Sequence, residues 1–227
     1  MGKEYTLFEI LSADDQNPAT HDELPEAHKR LVVLASGSGS NLQAILDACH
    51  AGALPARVQA VFSDNPDAYA LQRAHQCGVV SHVLPWKSYK LAGKTRREYD
   101  ADLAAQIESY EPYLVILAGW MRLLTSAFLS RFPGRVINLH PALPGSFPGT
   151  HAIERAFEAY HQGQVQHTGV MVHLVPDEGV DNGPLIAQEI VPIYPSDTLE
   201  ELTQRVHSVE HRLIVVAIRK TLNETMN

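Results

Sequence analysis

The chain is of moderate length, rich in apolar residues and acidic. It has 227 residues, 45% of them hydrophobic, and its 26 acidic and 18 basic side chains give a formal net charge of −8 at pH 7. This length and apolar content suffice for one domain with a single sizeable core, so no second domain is needed. The excess of acidic residues and the scatter of the basic ones argue against nucleic acid as the principal partner.

The sequence predicts neither membrane insertion nor secretion. No apolar run reaches the roughly 18 residues of a membrane span, and the amino terminus lacks a basic segment followed by an apolar one. The cysteines are Cys49 and Cys77, which we interpret as reduced thiols of the core rather than as a disulfide. These features predict a cytoplasmic protein.

The first segment differs from the rest of the chain. Residues 1–29 are polar and acidic and contain Pro18 and Pro25, a composition that contributes little to a core. We expect a loosely ordered extension here, followed by one domain over residues 30–227.

From residue 30 onward, strand-like and helical patterns alternate. Short apolar runs predict strands, and apolar residues at helical spacing predict the helices between them. Because this alternation is typical of parallel sheets, we predict a single-domain α/β fold with a mostly parallel, twisted sheet flanked by helices. The predicted strands are residues 30–35, 57–62, 79–84, 113–118, 136–138, 167–174 and 185–191, and a closing helix covers residues 199–213.

A glycine-rich turn links the first predicted strand to the first predicted helix. Residues 36–41 read Ser-Gly-Ser-Gly-Ser-Asn. Glycines allow close backbone approach, and a helix start directs unpaired N–H groups outward, so the turn is predicted to bind phosphate. Leu42 stands where a dinucleotide-binding turn needs glycine, and no Gly-Lys-Ser/Thr follows, which disfavours a nicotinamide cofactor and a Walker loop. A plain tight turn capped by Ser40 stays open as an alternative.

Two polar side chains interrupt the apolar run that begins at Val136. Asn138 and His140 alternate with apolar residues, so a strand directs both to one face, and Pro141 ends it. An amide donor beside an imidazole at the carboxyl end of a strand can polarise a carbonyl and handle its proton. A structural histidine is the competing interpretation. The histidines and cysteines lack metal-binding spacings, so we predict no metal.

These motifs, in this order, resemble those of the glycinamide ribonucleotide formyltransferases of purine synthesis. The most specific segments are residues 36–45, 117–122, 138–141 and 181–184 and the pair Glu210-His211. The resemblance implies a Rossmann-like formyltransferase fold. It also implies direct transfer of a formyl group from the co-substrate 10-formyltetrahydrofolate to the amine of a glycinamide ribonucleotide, without metal or covalent intermediate. The implied partners are these small molecules, acting on a monomer or a homodimer.

The resemblance implies positions that bind the two substrates. It places Gly39, Ser40 and Asn41 at the ribonucleotide phosphate, and Glu210 near the substrate amine. The implied folate-binding residues are Arg96, Met121, Arg122, Leu123, Leu124 and Asn138.

The implied catalytic set is Asn138, His140 and Asp181. Asn138 and protonated His140 are expected to donate hydrogen bonds to the developing oxyanion. Asp181 is expected to keep His140 charged and to organise a water molecule that relays the proton. We expect His173, on the strand that begins at His167, either to hold the catalytic residues in position or to be purely structural.

Three alternatives stay open. A formyltetrahydrofolate hydrolase and a methionyl-tRNA formyltransferase also use an Asn-His-Asp site. The first usually carries an amino-terminal regulatory domain, for which residues 1–29 are too few, and the second a basic carboxyl-terminal domain that no segment here resembles. A catalytically silent nucleotide-binding regulator would need only the phosphate turn. The three polar residues together favour the transferase.

Overall fold

The computed structural model describes residues 29–224, which form one mixed sheet with helices on both faces. The strands are β1 (Lys29–Leu34), β2 (Ala56–Ser63), β3 (Val80–Val83), β4 (Leu114–Leu117), β5 (Val136–His140), β6 (His167–Leu174) and β7 (Leu185–Pro192). The helices are α1 (Ser40–His50), α2 (Tyr69–Gln76), α3 (Trp86–Leu91), α4 (Arg96–Glu108), α5 (Ser126–Leu129), α6 (Ala152–His161) and α7 (Leu199–Asn223). The predicted extension, apart from Lys29, lies outside the described residues.

The strands lie in the order β3-β2-β1-β4-β5-β6-β7. Strands β1 to β5 pair in parallel, whereas β6 and β7 join the sheet antiparallel. The predicted α/β class with a mostly parallel sheet is therefore confirmed. Most strand bounds differ from the predicted ones by one residue, whereas α7 continues ten residues past Leu213, to Asn223.

The central strands are buried on both faces. In β1, Leu31 and Val33 belong to one apolar cluster, whereas Val32 and Leu34 belong to a second cluster on the opposite face. Helices α1, α2, α6 and α7 contribute to the first cluster, and α4 and α5 contribute to the second. This two-sided burial explains why the parallel strands read as continuous apolar runs, since neither face needs polar side chains.

The strand order positions the ligand-binding edge. From β1 the chain runs outward to β2 and β3, then crosses back to place β4 on the other side of β1. Strand order therefore reverses between β1 and β4, and ligands of open α/β sheets bind beyond the carboxyl ends of the strands at such a point. The loops that follow β1, β4 and β5 all leave the sheet at this edge.

The two cysteines differ in their surroundings. Cys49 is partly buried, and burial raises the pKa of its thiol to about 11. Cys77 is exposed, so the interpretation of Cys77 as a core thiol is wrong: it follows the last residue of α2, where the chain turns at the surface. No helix within residues 29–224 is long and apolar enough to cross a membrane.

Candidate active site

A cavity of about 680 Å³ opens at the carboxyl edge of the sheet. Its wall at one end is the turn after β1, residues 37–41, and the loop after β4 forms the adjoining wall. Asn138 and His140 reach it from β5, and Asp181 reaches it from the loop between β6 and β7. The structure therefore brings the predicted phosphate turn and the predicted catalytic residues to one space.

The geometry of the phosphate turn depends on Gly39. Its φ of 70° lies in the left-handed region, and a Cβ atom there would lie 2.7 Å from Cα and Cβ of Ala70 at the start of α2. The first backbone hydrogen bond of α1 runs from Gln43 N–H to Gly39 O at 2.9 Å. The N–H groups of Ser40 and Asn41 precede this bond, and such groups form a ready anion site.

Asn41 connects this turn to the last helix. Its Nδ2 donates to Oε2 of Glu210 at 3.2 Å, and both side chains are buried. Oδ1 of Asn41 is buried without a hydrogen-bond partner among the described residues. Burial raises the pKa of Glu210, while the hydrogen bond from Asn41 and the charge of His207 lower it in part. The pair therefore presents an unused acceptor and a carboxyl group with a shifted pKa at the phosphate end of the cavity.

Asp181 joins the two polar residues of β5. Its Oδ1 accepts from Nδ2 of Asn138 at 3.0 Å, and its Oδ2 lies 3.3 Å from Nδ1 of His140. The His140 and Asp181 side chains are 6% and 9% exposed, so the contacts are largely screened from solvent. The three residues that the sequence predicted as a catalytic set are therefore in direct contact.

His173 is the fourth member of this network. It pairs with Asn138 across the antiparallel β5–β6 register, and its Nε2 lies 3.2 Å from Nδ2 of Asn138 and 3.6 Å from Oδ1 of Asp181. Its Nδ1 lies 2.7 Å from O of Leu174, which fits a ring that donates through Nδ1 and accepts through Nε2. His173 therefore contacts both Asn138 and Asp181 and holds them in position, which is one of the two roles expected from the sequence.

The loop between β5 and α6 completes the surroundings of His140. Nε2 of His140 lies 3.0 Å from O of Phe147, and the Gly149 N–H donates to Oδ2 of Asp181 at 2.7 Å. These backbone contacts could not be predicted from the sequence, because nearly every residue type has the same carbonyl and N–H groups. In this arrangement the donors of Asn138 and His140 are paired within the site, as buried polar groups generally are.

Burial dominates the protonation of His140. It lowers the pKa of the ring, and this outweighs the opposite effects of Asp181 and of the Phe147 carbonyl; the charges of His173 and Arg155 lower it further. This result contradicts the expectation that Asp181 keeps His140 charged. For Asp181 itself, burial raises the pKa, but the contacts with His173, Gly149 and His140 together outweigh burial and hold the pKa below its usual value.

The predicted folate-binding residues 121–124 all line the cavity but differ in their exposure and contacts. Met121 and Leu123 line the cavity and are 67% and 46% exposed, a large apolar exposure for a surface loop. Leu124 also lines the cavity but is buried. Arg122 lies over the rings of Trp86 and Tyr99, at 4.7 and 5.3 Å from their centroids, so its guanidinium also anchors the loop.

Arg96 is absent from the described residues that line the cavity. It is the first residue of α4, and its Nη2 is buried without a hydrogen-bond partner among residues 29–224. Conversely, His207 lines the cavity although it was not predicted as a site residue. The available signal was its position one helical turn before Glu210, which places both on one face of α7. Within residues 29–224, no cluster of three or more potential ligands is arranged to hold a metal ion.

The fold and sequence are similar to those of known formyltransferases. Residues 29–218 match the family described as Formyl transferase. The phosphoribosylglycinamide formyltransferase of Schizosaccharomyces pombe is 47% identical over 203 residues, which cover 86% of this chain and 97% of that protein. The Escherichia coli K12 protein of the same name is 42% identical over 188 residues, or 83% of this chain and 84% of its own.

Solved structures agree with these relatives. Glycinamide ribonucleotide transformylase 1 from Symbiobacterium toebii is 44% identical, with a TM-score of 0.79 over 86% of this chain and 88% of its own. Phosphoribosylglycinamide formyltransferase from Bacillus halodurans is 39% identical, with a TM-score of 0.79 over 86% and 96% of the two chains. The predicted resemblance is confirmed, and the chain belongs to the formyl transferase family.

Proposed function

We propose that this chain is a phosphoribosylglycinamide formyltransferase. It transfers the formyl group of 10-formyltetrahydrofolate to the amine of 5'-phosphoribosylglycinamide in purine biosynthesis. The observation that carries the proposal is the placement of the Asn138–His140–Asp181 network and the phosphate turn around one cavity, in a chain of this family. The turn of residues 37–41 can bind the phosphate of a nucleotide, and the Asn138–His140–Asp181 network can stabilise negative charge on a carbonyl oxygen.

Direct transfer needs three events. The substrate amine forms a bond to the formyl carbon, the carbonyl oxygen takes up negative charge, and the bond from that carbon to the folate nitrogen breaks as this nitrogen gains the proton lost by the amine. Asn138 and His140 are the two β5 side chains in contact with Asp181, and they stabilise the oxyanion once each exchanges a present hydrogen bond for it. Asp181 organises a water molecule that relays the proton.

The protonation of His140 sets a requirement on this mechanism. Because burial lowers the pKa of the ring, the charged form is less favoured than in an exposed histidine, and negative charge that develops beside the ring favours it. A forming oxyanion is such a charge. Stabilisation of this kind acts on the transition state more than on the bound substrate, which is the condition for raising kcat.

The phosphate end of the cavity supports the ribonucleotide as acceptor. The N–H groups of Ser40 and Asn41 are placed to bind its phosphate. Oδ1 of Asn41 and the carboxyl group of Glu210 are placed to accept from its N–H or O–H groups. These acceptors are already buried before the substrate binds. A substrate that lacks the matching donor would leave them unpaired, so they discriminate against it.

The apolar part of the cavity supports a folate donor. Met121, Leu123 and Val180 line it and are exposed, and Val180 precedes Asp181 directly. Exposed apolar side chains gathered at one cavity are typical of ligand sites. The pterin ring would lie against them, which brings the formyl group on the nearby N10 atom toward Asn138. Arg96 plays no part in this proposal, because it is not among the residues that line the cavity.

The test supplies 10-formyltetrahydrofolate with and without glycinamide ribonucleotide, each in the presence of a chelator, and follows both products. We expect donor consumption to require the acceptor and to yield formylated ribonucleotide mole for mole, because the acceptor amine must be held against the formyl carbon. Chelation is expected to have no effect. Release of formate without acceptor would instead establish a hydrolase, and absence of turnover would favour a silent binding protein.

A variant ties the reaction to this site. His140→Ala is expected to lower turnover by roughly two to four orders of magnitude, as for a group that handles a proton in the transition state. Binding of the ribonucleotide should change little, since its phosphate site lies on a different loop. Wild-type turnover in this variant would remove His140 from the mechanism. A cytoplasmic location and a monomeric or dimeric state stay predictions.

A further inference from the structure

One arginine holds the backbone of the loop that contacts both His140 and Asp181. Arg155 lies in the first turn of α6, and its Nη2 donates to O of Phe147 and O of Pro148, each at 2.7 Å. Its Nε donates to O of His151 at 3.3 Å. A single guanidinium therefore binds three carbonyl groups within residues 147–151.

The same loop supplies the backbone contacts of the candidate active site. The Phe147 carbonyl that Arg155 binds also lies 3.0 Å from Nε2 of His140. A carbonyl oxygen has two lone pairs and can accept from both groups. Two residues further on, the Gly149 N–H donates to Asp181. Displacement of this loop would thus disturb the ring and the carboxylate together.

The loop conformation needs an external restraint. Phe147 has a φ of 47° and His151 a φ of 56°, both in the left-handed region that side chains other than glycine disfavour. Such conformations persist only where surrounding contacts hold them. The hydrogen bonds from Arg155 link the carbonyl groups of both residues to α6.

We propose that Arg155 is a positioning residue for the formyl transfer proposed above, on which this inference rests. Its guanidinium fixes the 147–151 backbone so that the Phe147 carbonyl and the Gly149 N–H meet His140 and Asp181. Arginine suits this task because its donors form a rigid planar fork, whereas a lysine ammonium is a single point of contact on a flexible stem.

Arg155 also acts on His140 through its charge. The groups that face His140 are Asp181 from the β6–β7 loop, His173 from β6, the Phe147 carbonyl, and Arg155 from α6. Among these, the positive charge of Arg155 lowers the pKa of the ring. Removal of the charge alone therefore raises that pKa, whereas loss of the Phe147 carbonyl contact lowers it. The direction of the change in the His140 pKa therefore separates the effect of the Arg155 charge from the effect of the loop position.

The experiment compares Arg155→Met, Arg155→Lys and a control, Arg219→Met. Arg219 also donates to a loop carbonyl, that of Ala53, at 2.9 and 3.1 Å, but does not line the cavity. We expect Arg155→Met to lower kcat roughly 10- to 100-fold with the KM of the ribonucleotide changed less than about 2-fold, because misplaced groups cost rate rather than phosphate binding. Arg155→Lys should retain an intermediate kcat, and Arg219→Met the full kcat.

The second readout is the NMR titration of the His140 ring, identified by the resonance lost in His140→Ala. We expect its midpoint to fall in Arg155→Met, because loss of the Phe147 carbonyl contact has a larger effect on the pKa than loss of the Arg155 charge, and to stay nearer the wild-type value in Arg155→Lys. An unchanged kcat in Arg155→Met would overturn the proposal, as would full kcat in Arg155→Lys or equal loss of kcat in the control. If the Met variant does not fold, the Lys variant carries the test through its intermediate kcat.

The titration separates this inference from the proposed function. If the wild-type enzyme transfers no formyl group, the function fails, and the His140 midpoints still decide whether Arg155 controls the site. An unshifted midpoint in folded Arg155→Met would overturn the inference while leaving formyl transfer by the wild type unaffected.

Discussion

The protonation of His140 results from two opposing effects. Its ring is buried, which disfavours the charged form, and it lies 3.3 Å from a carboxylate of Asp181, which favours it. Burial is the larger effect here. Both ring nitrogens face acceptors, so the geometry fits the charged ring although the surroundings disfavour it. This balance suits a group that gains charge only as the reaction proceeds.

Asp181→Asn tests the balance. Replacing the carboxylate by a neutral amide removes the group that favours the charged ring, so the pKa of His140 should fall further below its usual value. NMR titration of the ring is expected to give a lower midpoint than in the wild type, and kcat should fall by roughly two or more orders of magnitude. A raised or unchanged midpoint would show that Asp181 does not act on His140 electrostatically.

The contact between Asn41 and Glu210 links binding to a distant part of the chain. The two residues are 169 positions apart, and their side chains meet in a buried position. Because Glu210 has a raised pKa that this hydrogen bond partly lowers, loss of the amide would favour the protonated carboxyl group. Substrate recognition at this end therefore depends on both side chains.

Asn41→Ala should act mainly on affinity. We expect the KM of the ribonucleotide to rise roughly 10- to 100-fold, as for loss of hydrogen bonds that involve a charged group, and kcat to fall less. Steady-state kinetics with varied ribonucleotide measures both. Gln43→Ala, on the exposed side of the same helix, is the control and should leave KM unchanged. Equal KM values in the two variants would remove Asn41 from the substrate site.

The turn between β1 and α1 depends on close packing against α2. Gly39 combines a left-handed backbone with a position in which a Cβ atom would overlap Ala70. By contrast, a Cβ atom at Gly37 would have nothing within 4 Å among the described residues. The two glycines of one turn therefore have different roles, and only Gly39 is required for the fold.

Gly39→Ala is expected to destabilise the protein, whereas Gly37→Ala is not. The strained backbone alone costs roughly 1–2 kcal/mol, and the overlap with Ala70 adds to it. Urea denaturation of both variants measures the difference. Similar unfolding free energies for the two variants would show that the turn tolerates a side chain at Gly39 by shifting α2.

The start of α7 is fixed by an ion pair and a capping box. Asp197 accepts from both Nη atoms of Arg205 at 2.7 Å, and the Arg205 guanidinium holds the pKa of that carboxyl group at about 2. Thr198 and Glu201 exchange hydrogen bonds at the first turn of the helix. These contacts begin the helix that carries His207 and Glu210 to the cavity.

Asp197→Asn should lower stability in a pH-dependent way. The pKa of Asp197 is lower in the folded than in the unfolded state, so its stabilising effect is present above the ordinary value of 3.8 and is lost as the pH falls toward about 2. Unfolding of variant and wild type should therefore differ at neutral pH and converge under acid conditions. A difference that is constant over this range would assign the stabilisation to packing rather than charge.

The described fold is built within residues 29–224. The family match begins at residue 29. Deletion of residues 1–27 is therefore expected to leave kcat and Tm close to those of the full chain, because the composition of that segment offers little apolar surface. Thermal denaturation and the transfer assay test this. A fall of Tm by many degrees would show that the segment contributes to stability.

The sequence by itself determined the fold class and the types of residue at the site. Apolar runs that alternate with amphipathic helices specify a parallel sheet, because a continuous apolar run buries both faces of a strand and an amphipathic helix buries one face of its own. Asn138 and His140 share a strand face by alternation alone, and the glycine-rich turn precedes a helix by local geometry alone. These features depend on neighbours along the chain, and the sequence displays such neighbours directly.

Only the tertiary structure decided how these groups act on one another. It placed Asp181 against His173 and Asn138, joined Asn41 to Glu210, and directed Arg155 to the loop beside His140. It also left Arg96 outside the residues that line the cavity and made burial outweigh the effect of Asp181 on the pKa of His140. Burial, ion pairing and backbone strain depend on contacts between segments that are distant along the chain, so they are defined only once the chain has folded.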